Sequence, residues 1–356
     1  MSAAAGGGDA SSLAGALRGL LAGNLAAAGF YGYGFLSRAA FHAVLDRMEV
    51  PAEVRRKYTA DDAASVAVAA LRYGEGAYAP PAWAEAARAE DEPKVGIARF
   101  ARANWYRELS SRLESAAAAT VAQALEAGIG LPPAKAWRRL VNSGLPEKPA
   151  AVMAGLGWIG RNGIVVAAKG EDCAGPSFSS AVTLGLLFCP VDLEPPDSAP
   201  LAPRCGQCRR CLDACPTGAL GWERAAARDG NCAGEPARER SRERARERAY
   251  SRERCIQHWT AKAGELPSPI AEALDGRLYG CDSCLEACPY FLTDPSAETS
   301  LGRLGPALPA RCFPDSDDAM LRRALKGSAL DRSWMSMEAF RRNARLAIGR
   351  GSRVAR

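Results

Sequence analysis

Residues 205–216 read CGQCRRCLDACP. Cys205, Cys208, Cys211 and Cys215 follow the spacing C-x2-C-x2-C-x3-C, and Pro216 closes the run. Three thiolates on one tight loop reach three corners of an iron–sulfur cube. The fourth lies on the helix that follows and points away, toward a neighbouring cube. Zinc sites usually take two separated pairs of ligands, and disulfide scaffolds belong to secreted chains, so this run reads as [4Fe–4S] chemistry.

A second run, CDSCLEACP at 281–289, places Cys281, Cys284 and Cys288 in the last three positions of the same pattern. Its first position falls on Leu278. Two cubes need eight thiolates, and the two runs hold seven. Cys255, in RCIQHWT, and Cys232, in DGNCAG, are the nearby candidates for the eighth. Cys255 is preferred because it opens an apolar-flanked segment that can pack on the module. The resulting assignment puts Cys205, Cys208, Cys211 and Cys288 on one cluster, and Cys215, Cys255, Cys281 and Cys284 on the other. Cys173, Cys189 and Cys312 match no ligand spacing and read as ordinary thiols.

The remaining composition is that of a globular chain. Its 356 residues are 48% hydrophobic and 24% charged, with a formal net charge of +6. That length suits two domains. The mild basicity permits a polyanionic partner without requiring one. The N-terminal MSAAAGGGDASS lacks a basic region ahead of an apolar one, so it does not read as a secretory signal. LAGALRGLLAGNLAAAGFYG is interrupted by Arg18 and Asn24, and reads as a helix on the core rather than a membrane span. The expectation is a cytoplasmic protein that does not engage a membrane.

Periodicity divides the chain further. Residues 1–60 read as a helical region. Ser65–Leu71 reads as a buried strand, as do NGIVVAA and SSAVTLGLLFCPVDL. Residues 97–127 carry Trp105, Leu109, Leu113, Val121 and Leu125 at four-residue steps, which predicts one face of a long helix ending at Gly128. Helices and strands therefore mix over 61–203, an α/β domain bounded by the Pro-rich 194–203. Residues 204–295 form the cysteine module. Residues 296–356 form a helical region whose last helix sets Met337, Phe340, Ala344 and Ala347 on one side, with Gly349 near its end. Within the module, 235–254 holds eight Arg and five Glu. Its Glu239–Arg242 and Glu243–Arg246 spacings suit a solvated helix. An exposed charged insertion is favoured over an RNA-facing arm, because the interspersed Glu opposes phosphate binding.

A bare electron carrier needs no large first domain, so that domain is expected to hold a substrate or a second cofactor. GLGWIGRNG at 155–163 satisfies G-x-G-x-x-G through Gly155, Gly157 and Gly160. A strand follows it where a dinucleotide-binding turn would need a helix. A close approach to a bulky ligand and a simple tight turn both remain open. The chain has two histidines, His42 and His258, which gives little support to a histidine-based relay or metal site.

CGQCRRCLDACPTGAL, GCDSCLEACPYF, RCIQHWT and GLGWIGRNG together resemble the epoxyqueuosine reductase family. IARFARANWY and FRRNARLAIG resemble two further segments of that family, so the likeness runs from about residue 65 to 350. Residues 1–60 resemble it weakly, and the Arg/Glu-rich stretch has no counterpart in it. The resemblance implies a cobalamin-binding-type α/β domain followed by a ferredoxin-like two-[4Fe–4S] module and a short helical region. It implies reduction of the epoxide of epoxyqueuosine in tRNA to the alkene. It also implies an external electron donor of the ferredoxin or flavodoxin type, and the chain is read as a monomer. It agrees with Cys255 as the bridging ligand, and with a cobalamin held without a histidine beneath the cobalt. Tyr106, Asn142, Gly157, Trp158, Gly160 and Arg161 fall at its cofactor positions. The family's general acid, an aspartate, is replaced here by Asn142, flanked by the matching Val141 and Ser143. An amide is no carboxylic acid. The family segment ending Asp-Tyr-His keeps only Tyr106, and no counterpart of the helical-repeat extension of many members follows. Two other readings therefore stay open. One is a related corrinoid iron–sulfur reductase with another substrate, or a corrinoid-reducing activator. The other is an electron-transfer protein without cobalamin.

Overall fold

The computed structural model describes residues 7–74, 82–85, 92–171, 173–196, 198–221, 250–297, 299 and 301–350. In chain order the strands are β1 (Gly32–Ser37), β2 (Ser65–Arg72), β3 (Lys94–Ile97), β4 (Arg138–Val141), β5 (Gly157–Ile159), β6 (Val165–Ala168), β7 (Phe178–Ser179), β8 (Val182–Cys189), β9 (Arg277–Tyr279) and β10 (Ala307–Pro309). The helices are α1 (Gly7–Ala27), α2 (Arg38–Arg47), α3 (Ala52–Lys57), α4 (Ala82–Glu85), α5 (Trp105–Glu126), α6 (Glu147–Met153) and α7 (Arg210–Asp213). They continue with α8 (Ile256–Thr260), α9 (Ser268–Ala273), α10 (Ser283–Glu286), α11 (Asp318–Ala324) and α12 (Met337–Gly349). The chain is a mixed α/β protein of two compact units. One comprises residues 1–73, 106–159 and 165–204, and the other 74–105, 160–164 and 205–356.

The first unit is built on an antiparallel sheet in the order β1-β2-β8-β4. Val66, Val68 and Ala70 of β2, with Leu186 and Phe188 of β8, share a core with Phe41 and Leu45 of α2 and Ala150 and Ala151 of α6. The period of two turns the intervening residues to the opposite face. There α5 packs so closely that a Cβ on Gly185 would lie 2.3 Å from Leu109 Cδ2. Helices cover both faces, which explains why β2 is an unbroken apolar run rather than an alternating one. The two polar breaks in α1 have partners. Arg18 Nη1 donates to Leu193 O (2.7 Å), and Asn24 Nδ2 donates to Thr120 Oγ1 (3.0 Å) and Gln123 Oε1 (2.9 Å) of α5. Among the described residues no helix is long and apolar enough to cross a membrane.

The structure differs from the sequence reading at three places. Residues 1–60 are not all helical, because β1 pairs with β2 along its whole length. The helix read over 97–127 starts at Trp105, and its first residues belong instead to β3 and a short 3-10 turn. Its buried stripe also drifts. Leu109, Leu113, Ala116, Ala117, Thr120 and Ala124 are buried, whereas Leu125 is 69% exposed. Steps of four advance about 40° per step around a 3.6-residue helix, so a stripe that begins at 105 must change to steps of three to stay on one face.

The second unit has the sheet β10-β3-β9, with β10 antiparallel and β9 parallel to β3. Val95, Ile97, Leu278 and Tyr279 form its core with Met337, Phe340, Ala344 and Ala347 of α12. The Ser336 hydroxyl caps α12 by accepting from Ala339 N (3.2 Å). Asn343 is buried, and its Nδ2 donates to Thr260 O (3.0 Å) and Leu278 O (2.8 Å). The closing helix thus shares one core with the cysteine module. The compact units divide at 204/205, one residue from the boundary read at 203/204, and also at 73/74, 105/106, 159/160 and 164/165.

Candidate functional site

The two cysteine runs fold alike. In the first, Cys208 N donates to Cys205 O (2.9 Å), α7 carries Cys211, and Cys215 N donates to Leu212 O (3.3 Å). In the second, α10 carries Cys284, and Cys288 N donates to Leu285 O (2.8 Å) just past its end. The helices α7 and α10 pack against each other. A cysteine just beyond each helix therefore lies beside the other run.

The electrostatics group the thiols in the same way. Burial pushes Cys211 up to about 11, and the neighbours that raise it further are Cys288, Cys205 and Cys208. Burial pushes Cys284 up to about 12, with Cys281, Cys255, Cys215 and Cys211 as its raising neighbours. Apart from Cys211, which adjoins both groups, these neighbours fall into the same two groups as the quartets proposed from sequence. Mutually repelling, half-buried thiolates are the donor set that a cationic iron–sulfur core neutralises. Two hydroxyls approach the sulfurs, Thr217 Oγ1 at 3.9 Å from Cys215 and Ser283 Oγ at 3.4 Å from Cys281. Such contacts are one of the levers that set cluster potential.

Cys255 reaches this centre by a short chain of contacts. Leu220 and Tyr250 form an antiparallel bridge, and Ser251 N donates to Ala219 O (2.9 Å). Cys255 then stands at the N-terminal boundary of α8, whose Ile256 is buried. The other candidate, Cys232, lies outside the described residues, as do the Glu239–Arg242 and Glu243–Arg246 spacings and most of the Arg/Glu-rich stretch. Leu278, at the vacant ligand position, is fully buried in β9 and serves the core. Cys189 is fully buried and Cys173 nearly so, while Cys312 packs at the edge of the second unit's core.

The glycine-rich 155–163 is a β-hairpin. Strands β5 and β6 pair, and Gly160 N donates to Ile164 O (2.8 Å) across the turn. Gly157 is required by cross-strand contact, since a Cβ there would lie 2.1 Å from Val166 O. Trp158 is 1% exposed and packs edge-on against Phe178 at 5.1 Å. The structure therefore gives Gly157 and Trp158 packing roles. Arg161 and Asn162, in the turn and part of the second unit, face the cysteine runs: Arg161 Nη2 donates to Gly206 O (2.8 Å) and Asn162 Nδ2 to Cys284 O (3.5 Å). Tyr106 is half-buried in the first turn of α5.

Asn142 stands at the head of the loop from β4 to α6, exposed and at φ 51°. Asn and Asp are the side chains that tolerate this left-handed conformation best, after glycine. The substitution therefore keeps the backbone geometry an aspartate would adopt while losing the acid. One carboxyl does meet this loop, from Glu147 at the start of α6, and the sequence reading missed it. Glu147 Oε1 accepts from Ser143 N (2.8 Å) and Ser143 Oγ (3.1 Å), and the Asn142 backbone N–H also bonds the carboxylate. Burial outweighs these bonds and pushes Glu147 up to about 7. The only signal in the sequence was a glutamate following a serine by four residues. Of the two histidines, His42 Nε2 lies 3.5 Å from Asp61, and His258 Nδ1 accepts from Arg252 Nε (3.1 Å).

Comparison with known proteins agrees with this geometry. Residues 204–290 match the family model of the 4Fe-4S double cluster binding domain. The epoxyqueuosine reductase of Gloeobacter violaceus is 31% identical over 283 residues, covering 73% of this chain and 72% of that protein. The Staphylococcus aureus epoxyqueuosine reductase is 30% identical over 195 residues, 53% of this chain and 40% of that protein. A crystal structure of an epoxyqueuosine reductase with an epoxyqueuosine-modified tRNA-Tyr stem loop superimposes with a TM-score of 0.69 at 20% identity, over 95% of this chain and 82% of that one. The Streptococcus thermophilus enzyme gives a TM-score of 0.61 at 20% identity, over 90% and 78%.

Proposed function

Because the chain belongs to the epoxyqueuosine reductase family, we propose that it reduces the epoxide of epoxyqueuosine in tRNA to the alkene of queuosine, in the cytoplasm. The observation that carries this reading is the 31% identity over 283 residues, which covers 73% of this chain and 72% of the relative. The chain is an oxidoreductase of this family with a double [4Fe–4S] domain. The reaction consumes two electrons and two protons and releases the epoxide oxygen as water. The proposed route in is a ferredoxin- or flavodoxin-type donor feeding a monomer. One cluster is held by Cys205, Cys208, Cys211 and Cys288, and the other by Cys215, Cys255, Cys281 and Cys284. Each cluster passes one electron at a time.

The donor set also fits a corrinoid. Asn142 is exposed and Tyr106 half-buried, so both side chains can reach a bound group. Cobalamin, when bound, would supply the strongly reducing metal that no side chain provides. Tyr106, Asn142, Gly157, Trp158, Gly160 and Arg161 are the residues proposed for it. Expression in a strain lacking its own epoxyqueuosine reductase tests the reading. Recovery of queuosine in tRNA supports it, and accumulation of epoxyqueuosine refutes it.

Asn142 favours one second reading, a related corrinoid iron–sulfur reductase, or corrinoid-reducing activator, for another substrate. It predicts bound corrinoid together with failure of that recovery.

A further inference from the structure

At the start of α6 a half-buried carboxyl, that of Glu147, contacts the hydroxyl of Ser143, one residue from the amide that stands at the family's acid position. We propose that the Glu147 carboxyl, acting through the Ser143 hydroxyl, supplies the proton for epoxide opening that Asn142 cannot give. The proposal rests on the reductase reading above and names the source of one of its two protons.

The geometry links the groups in order. Ser143 Oγ donates to Glu147 Oε1 (3.1 Å) and accepts from Leu145 N (3.2 Å), which fixes the hydroxyl between carboxyl and loop; the first bond reverses when Glu147 is protonated. Ser143 and Glu147 are both half-buried and Ser143 adjoins the exposed Asn142, so the hydroxyl links the carboxyl to the exposed end of the loop. A protonated Glu147 donates to Ser143 Oγ, and Ser143 in turn releases its own proton outward. The carboxylate left behind is stabilised by the N–H groups of Ser143 and Asn142, which already point at it. In the balanced reaction both carbon–oxygen bonds of the epoxide break and the carbon–carbon double bond forms. Two electrons arrive from the ferredoxin- or flavodoxin-type donor. One proton comes from Glu147 through Ser143 and the second from solvent, the oxygen leaves as water, and solvent then reprotonates Glu147.

The surroundings favour a carboxyl that can both lose and regain a proton. Burial is the main influence on Glu147, and it opposes the charged form. The charge acting on it is Lys148, its neighbour on α6, which favours ionisation. Across the loop, the Tyr58 hydroxyl is occupied in accepting from Gly144 N (3.2 Å), and Arg138 is held by the carbonyls of Tyr58 (2.8 Å) and Thr59 (2.7 Å). The result, a carboxyl near 7, suits general acid catalysis at neutral pH.

Glu147 acts through Ser143 and is a positioning residue in that sense, so the test must separate proton supply from loop support. Glu147→Gln keeps an amide oxygen able to accept from Ser143 N and Oγ and removes only the ionisable proton. Single-turnover epoxide reduction on a modified tRNA stem loop is measured across pH with the full chain, reconstituted anaerobically. Wild type should slow as pH rises through about 7. E147Q should be slower by about 100-fold and lose that limb, S143A should be impaired with S143T close to wild type, and N142D should restore E147Q. An E147Q protein with wild-type rate and pH profile overturns the proposal, as does one that is slow but keeps the limb. A second measurement needs no turnover: the infrared band of a protonated carboxyl just below neutral pH. It should be lost in E147Q and shifted in S143A. Its absence in wild type overturns the proposal whatever the activity. If wild type reduces no epoxide while the band is present and responds to S143A, the substrate reading fails and the proton-holding pair stands.

Discussion

Thr217 and Arg254 are tied by two hydrogen bonds. The Thr217 hydroxyl donates to Arg254 O (2.5 Å), and Arg254 Nε donates back to Thr217 O (3.2 Å). Thr217 follows Cys215 by two residues and Arg254 directly precedes Cys255, so the pair holds two thiols from distant parts of the chain at one centre. Burial and repulsion at Cys284 include both of them.

Removal of the Cys255 thiol is therefore expected to cost one whole cluster. Cys255→Ala should lower iron from about eight to about four atoms per chain, while Cys232→Ala should keep about eight. Iron analysis with EPR of the reduced protein checks this. The reverse pattern would transfer the eighth ligand to Cys232.

The left-handed backbone at Asn142 makes a prediction about stability apart from chemistry. Asn142→Ala should destabilise the chain by about 1–2 kcal/mol, because Cβ crowds the carbonyl at positive φ. Asn142→Gly and Asn142→Asp should unfold within a few degrees of wild type. Thermal denaturation followed by circular dichroism reads the difference, and equal melting of all three variants would remove the conformational argument.

Gly157 tests whether the glycine-rich segment is a hairpin first. An alanine Cβ would meet Val166 O at 2.1 Å, backbone against backbone, so the strands must part. Gly157→Ala should cost about 1–3 kcal/mol, with cluster content unaffected in the fraction that folds. A variant of wild-type stability would show that the strands are looser than described.

Glu147 predicts a pH-dependent stability. Its carboxyl rises from 4.5 to about 7 on folding, so between those values the folded chain binds a proton that the unfolded chain has released. The contribution is complete below about pH 4.5 and is lost as pH rises through about 7. The difference in unfolding free energy between wild type and Glu147→Gln, followed by urea titration from pH 5 to 8, should therefore shrink wild type's advantage toward the alkaline end. A difference independent of pH would place Glu147 in the ordinary carboxylate range.

The cysteine centre was legible in sequence because ligand spacing is a property of the covalent chain. A loop of fixed length either reaches three corners of a cube or does not, and Leu278 exposed the missing ligand for the same reason. The buried strands were equally plain, since β2 and β8 carry apolar runs that only a sheet covered on both faces explains. The first strand was hidden because GYGFLS contains two glycines and little β-branched character, and it owes its conformation to pairing with β2. Glu147 was hidden for a deeper reason. A glutamate at the start of a helix is by default a solvated residue, and only the fold of the loop back onto α6 partly covers it and bonds it to Ser143. The glycines at 155–163 left two readings open in sequence, and the pairing of β5 with β6 supplies the turn.

The central claim is that this chain carries electrons through two clusters to an epoxide in tRNA. The most direct measurement is conversion of an epoxyqueuosine-bearing tRNA stem loop by anaerobically reconstituted protein, with iron and corrinoid determined on the same sample and the nucleoside identified by mass. The account predicts loss of one oxygen atom from the modified nucleoside, in a sample holding about eight irons and bound corrinoid per chain. A fully loaded sample that leaves the epoxide intact under a strong reductant would contradict it.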